Sequence, residues 1–168
     1  MSIKKITLIV IFSFIFNVAN AEENLKSLGK FKDWESFVLS KEGVKVCFAQ
    51  SIPIVRAPKK LKRDPSRLFV SFRPAENIKN EVSVTNGYEF KLKVPVAAKS
   101  GKKSYNLFSK GRFAWAENDE EDMKLISIMR KASRLMIVGN SEKGQETTDH
   151  YSMMGFTKAY NAAKKSCS

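Results

Sequence analysis

Apolar and polar positions alternate along most of the chain beyond residue 33, and the repeat is two far more often than 3.6. Trp34 to Leu39, Val44 to Ala49 and Leu68 to Phe72 are short runs rich in aromatic and β-branched residues. Charged or Gly/Pro-containing connections separate them, which is the signature of strands. In the second run Val44, Val46 and Phe48 share one face, and Lys45, Cys47 and Ala49 share the other. The clearest alternation spans Val82 to Val94. There Tyr88, Phe90, Leu92 and Val94 point one way and Glu89, Lys91 and Lys93 the other, which predicts a sheet with one buried and one wet face. Asn86-Gly87 marks a hairpin turn. A two-residue loop would place Val82 and Val84 on the charged side. A three-residue loop, Thr85 to Gly87, aligns Val84 with Tyr88 and Val82 with Phe90, with Gly87 left-handed at a bulge. Parity therefore selects the longer loop. Ser104 to Phe108 and Arg112 to Ala116 form a second expected hairpin around Lys110-Gly111.

Beyond Ala116 the period changes. Asn118 followed by Asp119, Glu120 and Glu121 reads as a capped helix start, because acidic groups suit the positive helix end. Met123, Ile126 and Met129 follow at helical spacing, widened by Leu125 and Ile128, and predict a helix over Asp119 to Ala132. Leu135 to Val138, ended by Gly139, and His150 to Met154 read as further strands. A last helix is expected after Gly155, since Phe156, Ala159, Tyr160, Ala163 and Cys167 fall on one helical face. Many short strands with two helices predict a mainly β fold, an antiparallel β-sandwich with helical additions.

The first residues tell a different story. Lys4 and Lys5, the apolar stretch Ile6 to Phe16 and Ala19-Asn20-Ala21 form a secretory leader over residues 1–21, to be removed from a single domain over 22–168. No other segment is apolar enough to span a membrane. Loss of two lysines with the leader lowers the formal net charge from +13 to +11. The expected location is the periplasm or cell envelope, or the medium outside. In such an oxidising compartment Cys47 and Cys167 most simply join, tying the last helix to the sheet.

Little in the composition carries catalysis. One His excludes a histidine cluster, and two Cys exclude a four-thiol zinc or iron–sulfur site. Asp149-His150-Tyr151-Ser152 holds the residue types of a hydrolase triad, but in a strand Asp149 faces away from His150. The acidic run Glu117 to Asp122 is explained by helix capping. A periplasmic hydrolase or metal-assisted enzyme built from Asp, Glu and the lone His is the alternative to a noncatalytic protein, and no cofactor is expected. Basic residues recur instead. Lys59, Lys60, Lys62, Arg63 and Arg67 form a candidate patch for an anionic partner, with further clusters at Lys99, Lys102, Lys103 and at Arg130, Lys131, Arg134. Export disfavours nucleic acid. Anionic lipid, polysaccharide, or an envelope or host-surface protein is the expected partner class.

The chain resembles the invasion-associated locus B family of exported bacterial proteins. The resemblance rests on Asp33-Trp34, Val46-Cys47 followed by Pro53, Gly87-Tyr88-Glu89-Phe90, Ala114-Trp115-Ala116 and Leu125 through Met129. It continues through Gly139-Asn140-Ser141 with Gly144, Thr148 through Thr157, and the ending Ala159 to Cys167. It implies an immunoglobulin-like β-sandwich in the periplasm or envelope, a binding or structural role, and a link to host-cell invasion through the family's name. Ala132-Ser133 stands where relatives often carry a glycine, and His150 where threonine is common. The family supplies no catalytic constellation.

Overall fold

Strand pairing organises residues 24–168, the part of the chain that the computed structural model describes; the leader expected at 1–21 lies outside the described residues. In chain order the strands are β1 (Asn24–Phe31), β2 (Trp34–Lys41), β3 (Val44–Ser51), β4 (Val55–Ala57), β5 (Arg67–Arg73) and β6 (Ile78–Thr85). β7 (Val96–Ser100), β8 (Lys103–Lys110) and β9 (Phe113–Trp115) precede the helix α1 (Asp119–Lys131). β10 (Arg134–Asn140), β11 (Glu146–Ser152) and α2 (Phe156–Ser166) complete the chain. All pairings are antiparallel, in the order β1-β2-β3-β5-β6-β9-β8-β7-β10-β11-β4.

β3 and β4 stand third and last in that ladder, yet only residues 52–54 connect them. So short a link reaches about 14 Å at most, so the far end of the ladder returns to lie beside its start. Cross-links hold it there. The Trp34 indole N–H donates to the Ser152 carbonyl at 2.9 Å, and the Asp33 amide to the Met154 carbonyl at 3.2 Å. Val38, Leu68, Val84, Ile137 and Tyr151, drawn from both ends of the ladder, share one buried cluster. The fold is mainly β, with two helices and a disulfide beside the last.

Side-chain parity explains most faces. In β3 Cys47 and Ala49 are buried, while Val46 and Phe48 are half-covered and Val44 is exposed. α1 is capped by Asn118, whose side chain accepts the Glu121 amide at 3.0 Å. Its buried stripe is Asp122, Leu125, Ile126 and Met129, so Met123, expected inside, faces solvent. The rotation follows from Asp122, whose carboxylate accepts the Val82 amide at 2.7 Å and draws that edge of the helix onto β6. α2 buries Phe156, Ala159, Tyr160 and Ala163 against β2 and β3. Cys167 at its end is bonded to Cys47, with Cα atoms 5.8 Å apart.

The hairpin expected around Asn86-Gly87 does not form. β6 pairs with β9 instead, and residues 86–95 run irregularly, with one bridge from Phe90 to Ser141. Two close approaches cause this. Gly87 has φ +81°, and a Cβ there would collide with the Asp64 carbonyl. Gly139, expected to end a strand, lies inside β10, where a Cβ would sit 2.7 Å from the Phe90 ring. Phe90 fills that space, and Leu92, expected on the buried face, is 69% exposed. The second expected hairpin is present as β8 and β9. β1, β4 and β7 were not anticipated from the pattern.

Candidate functional site

The connection from β4 to β5, residues 58–66, carries most of the anticipated basic patch. Lys59, Lys60 and Lys62 project into solvent. Arg63 does not. Its side chain is 3% exposed and grips Asp149 of β11, whose side chain is fully buried, through both guanidinium nitrogens. Nη1 of the same group donates to Asp149 Oδ2 at 2.7 Å, to the Asn86 carbonyl at 2.8 Å and to Ser66 Oγ at 3.1 Å. A planar fork is what such a bidentate site requires. Arg63 therefore leaves the surface patch and becomes the pin of the loop. The loop is also tied by its Asp64 amide, which donates to the Gly87 carbonyl at 3.1 Å. Arg67 is half-buried on β5 and lines a separate groove with Lys30 and Lys32.

A groove of about 430 Å³ opens over this pin, lined in part by Leu61, Lys62, Tyr88, Glu142 and Lys143. Beneath it the Tyr88 hydroxyl and Thr147 Oγ1 are hydrogen-bonded at 2.6 Å, and the Asn86 amide donates to Thr147 Oγ1 at 3.2 Å. The Arg63 guanidinium lies 5.9 Å from the Tyr88 ring centre. Burial pushes the Tyr88 phenol above its ordinary range. Burial, reinforced by the Asp149 charge, pushes Tyr151 well above it. Both phenols stay neutral, and the only formal charges in this interior are those of the Arg63–Asp149 pair.

Asp149 is thus committed to an arginine and not to an imidazole. Thr147, Asp149 and Tyr151 face the interior, and His150 lies between them on the other side of the strand. Ser152 Oγ accepts the Met154 amide at 3.2 Å. The acidic run at 117–122 serves the helix start, as expected from its capping pattern: Glu120 and Glu121 bind Lys124, and Asp122 binds Val82. Among the described residues no three His, Cys, Asp or Glu side chains gather as metal ligands. The remaining basic clusters lie elsewhere, on the β7–β8 hairpin and at the end of α1, where Arg130 stacks 4.6 Å from the Tyr160 ring centre. Among the described residues no helix is long and apolar enough to cross a membrane.

Sequence reasoning missed Asn86, Tyr88 and Thr147 as members of one polar cluster. The alternation of Thr147, Asp149 and Tyr151 was the available signal, since three hydroxyl or carboxyl side chains on one strand face need partners when buried.

The family model for the Invasion associated locus B (IalB) protein matches residues 34–164. Among solved structures, the crystal structure of invasion-associated protein B from Bartonella henselae superposes with a TM-score of 0.56 at 13% sequence identity, covering 81% of this chain and 94% of that one. At that identity the likeness concerns the fold. No curated protein matches.

Proposed function

Since the chain belongs to the invasion-associated locus B family, we propose that it is a noncatalytic binding or structural factor of the bacterial envelope, docked on an anionic surface through its 58–66 loop. The observation that carries this reading is the pinned arginine. Three lysines in a free loop would cost ordering entropy on binding. With Arg63 fixed to Asp149, the lysines beside it start from an anchored backbone. The net charge of +11 expected after leader removal supports attraction to anionic lipid or polysaccharide. Export by the leader over 1–21, a mature domain over 22–168 and residence in the periplasm or envelope belong to this reading. So does an immunoglobulin-like sandwich, supported by the ladder's return upon itself. A role at a host-cell surface is consistent with the family's name.

The hydrolase alternative loses its support, because the carboxylate it needs beside His150 is held by Arg63.

Sedimentation with vesicles containing phosphatidylglycerol tests the docking. Lys59, Lys60 and Lys62 replaced together by Gln should lower retention by roughly tenfold or more at low salt, at about 1 kcal/mol per basic residue near an anionic surface. Wild-type retention by that variant would reject the loop as the docking site.

A further inference from the structure

The outer face of the sheet from β2 to β8 carries a diagonal row of aromatic side chains. Phe37 and Phe48 are cross-strand partners with ring centres 5.3 Å apart, and Phe48 meets Phe69 at 6.2 Å. Trp115 lies 5.5 Å from Phe108 and 6.0 Å from Phe113. Ser71 and Ser83, small and side by side between these two groups, floor a trough of about 310 Å³. Both helices pack on the opposite side, α1 on β6 and α2 on β2 and β3, so no described element covers this face. Phe108 is 52% exposed and Phe113 40% exposed. Those two rings alone leave roughly 200 Å² in solvent, taking a whole aromatic side chain as about 200 Å². With Leu25 and Val44 exposed and Leu39 and Val46 half-covered on the same face, the apolar area reaches the upper end of what a monomer leaves open.

We propose that this aromatic sheet face is where a second copy of the chain docks, face to face, in a two-fold homodimer. Three observations select that occupant. First, the face is electrically quiet within a strongly basic protein. The charged side chains lining its trough are Arg73 and Glu81, which bind each other bidentately at 2.9 and 2.7 Å. Two copies of a +11 chain can approach only where their charges are absent or paired. Second, the relief is self-complementary. The Trp115 ridge stands beside the trough, and a two-fold axis places each ridge in the partner's trough, as an isologous interface requires. Third, an anionic partner finds its lysines on the 58–66 loop and not here. Sheets that pack by their faces with interdigitated side chains provide the geometry.

Sedimentation velocity of the exported, oxidised chain from about 1 to about 200 µM reads the outcome. The wild type should be dimeric at the upper concentrations. Phe48→Lys and Phe108→Lys should each weaken the dimer by roughly 30-fold or more, as removal of a central aromatic anchor does. Phe108→Lys alters a half-exposed side chain and keeps the fold, verified by the near-ultraviolet spectrum and the intact disulfide. Leu92→Lys, exposed but away from this face, should leave the dimer unchanged. A monomer throughout the range, or a dimer indifferent to both lysines, overturns the proposal. Maltotriose and chitotriose are titrated in parallel against tryptophan emission, to which Trp115 responds because Trp34 is fully buried. A saccharide response from a monomeric wild type assigns the face to a glycan and likewise overturns the dimer.

Discussion

Asp149 and Asp122 are two buried carboxylates that the protein treats in opposite ways. Asp149 receives a full positive partner and two charge-assisted hydrogen bonds from Arg63, so its ionised form is compensated. Arg63→Met should therefore cost about 3–5 kcal/mol, because it strands a charge in the core, and Arg63→Lys should recover little because an ammonium cannot supply the fork. The double variant Arg63→Met/Asp149→Leu should be markedly more stable than Arg63→Met alone. Urea midpoints at constant m-value check this, and equal losses in the single and double variants would refute it. Asp122 has no cation. Burial raises its pKa to about 6, partly offset by the Val82 amide and reinforced by Glu81 and Asp119. The folded chain thus binds this proton more tightly than the unfolded chain does, so the group's stabilising contribution is complete below pH 4 and lost as pH rises through 6. Asp122→Asn keeps an oxygen for the Val82 amide and removes the charge. It should raise the melting temperature at pH 7.5, leave it nearly unchanged at pH 4, and flatten the slope between. A larger gain at pH 4 than at pH 7.5 would contradict that assignment.

At the scale of elements, α2 is the part whose attachment is most distributed. Its apolar stripe packs on β2 and β3, Ser36 Oγ donates to the Ala159 carbonyl at 2.6 Å, and Lys45 Nζ donates to the Ser166 carbonyl at 3.1 Å near the negative helix end. The Cys47–Cys167 bond closes a loop of 120 residues, for which chain entropy gives about 5 kcal/mol. Cys47→Ser/Cys167→Ser should lower stability by roughly 3–5 kcal/mol and speed hydrogen exchange in α2 more than in β5 or β10. Uniform acceleration across the sheet would show that the bond acts on the whole domain and not on its last helix. This helix was legible in the sequence because its stripe, its preceding glycine and its terminal cysteine are all local to one segment. α1 was legible in extent but not in rotation. Met123 and Asp122 are adjacent, and the bond that chooses between them comes from Val82, 40 residues away. The segment 88–94 alternates as well as any strand, yet what forbids its pairing is the Asp64 backbone at Gly87 and the vacancy at Gly139 filled by Phe90. β4 has three residues and no pattern of its own; β11 defines it. Arg63 looked like its lysine neighbours because its partner lies 86 positions away. Periodicity reports which way a side chain points and is silent on what waits there.

For the whole molecule, the consequence is that two surfaces of opposite character sit on different parts of one frame. The lysines of the 58–66 loop are exposed charge, and the outer face of β2 to β8 is exposed aromatic area with its own ion pair neutralised. Salt separates them. Attraction of basic loops to an anionic surface is screened as the Debye length shrinks from about 10 Å at 0.1 M toward 3 Å at 1 M. Burial of aromatic faces is not weakened by the same salt, and repulsion between two basic copies is relieved by it. Between about 50 and 500 mM sodium chloride, vesicle retention should therefore fall steeply while the dimer holds or tightens. Retention of Phe108→Lys should keep a similar salt slope, since that variant leaves the lysine loop intact. A dimer that dissolves with salt in step with vesicle release would mean that one basic surface performs both tasks, and the separation of faces argued from the sheet would fail.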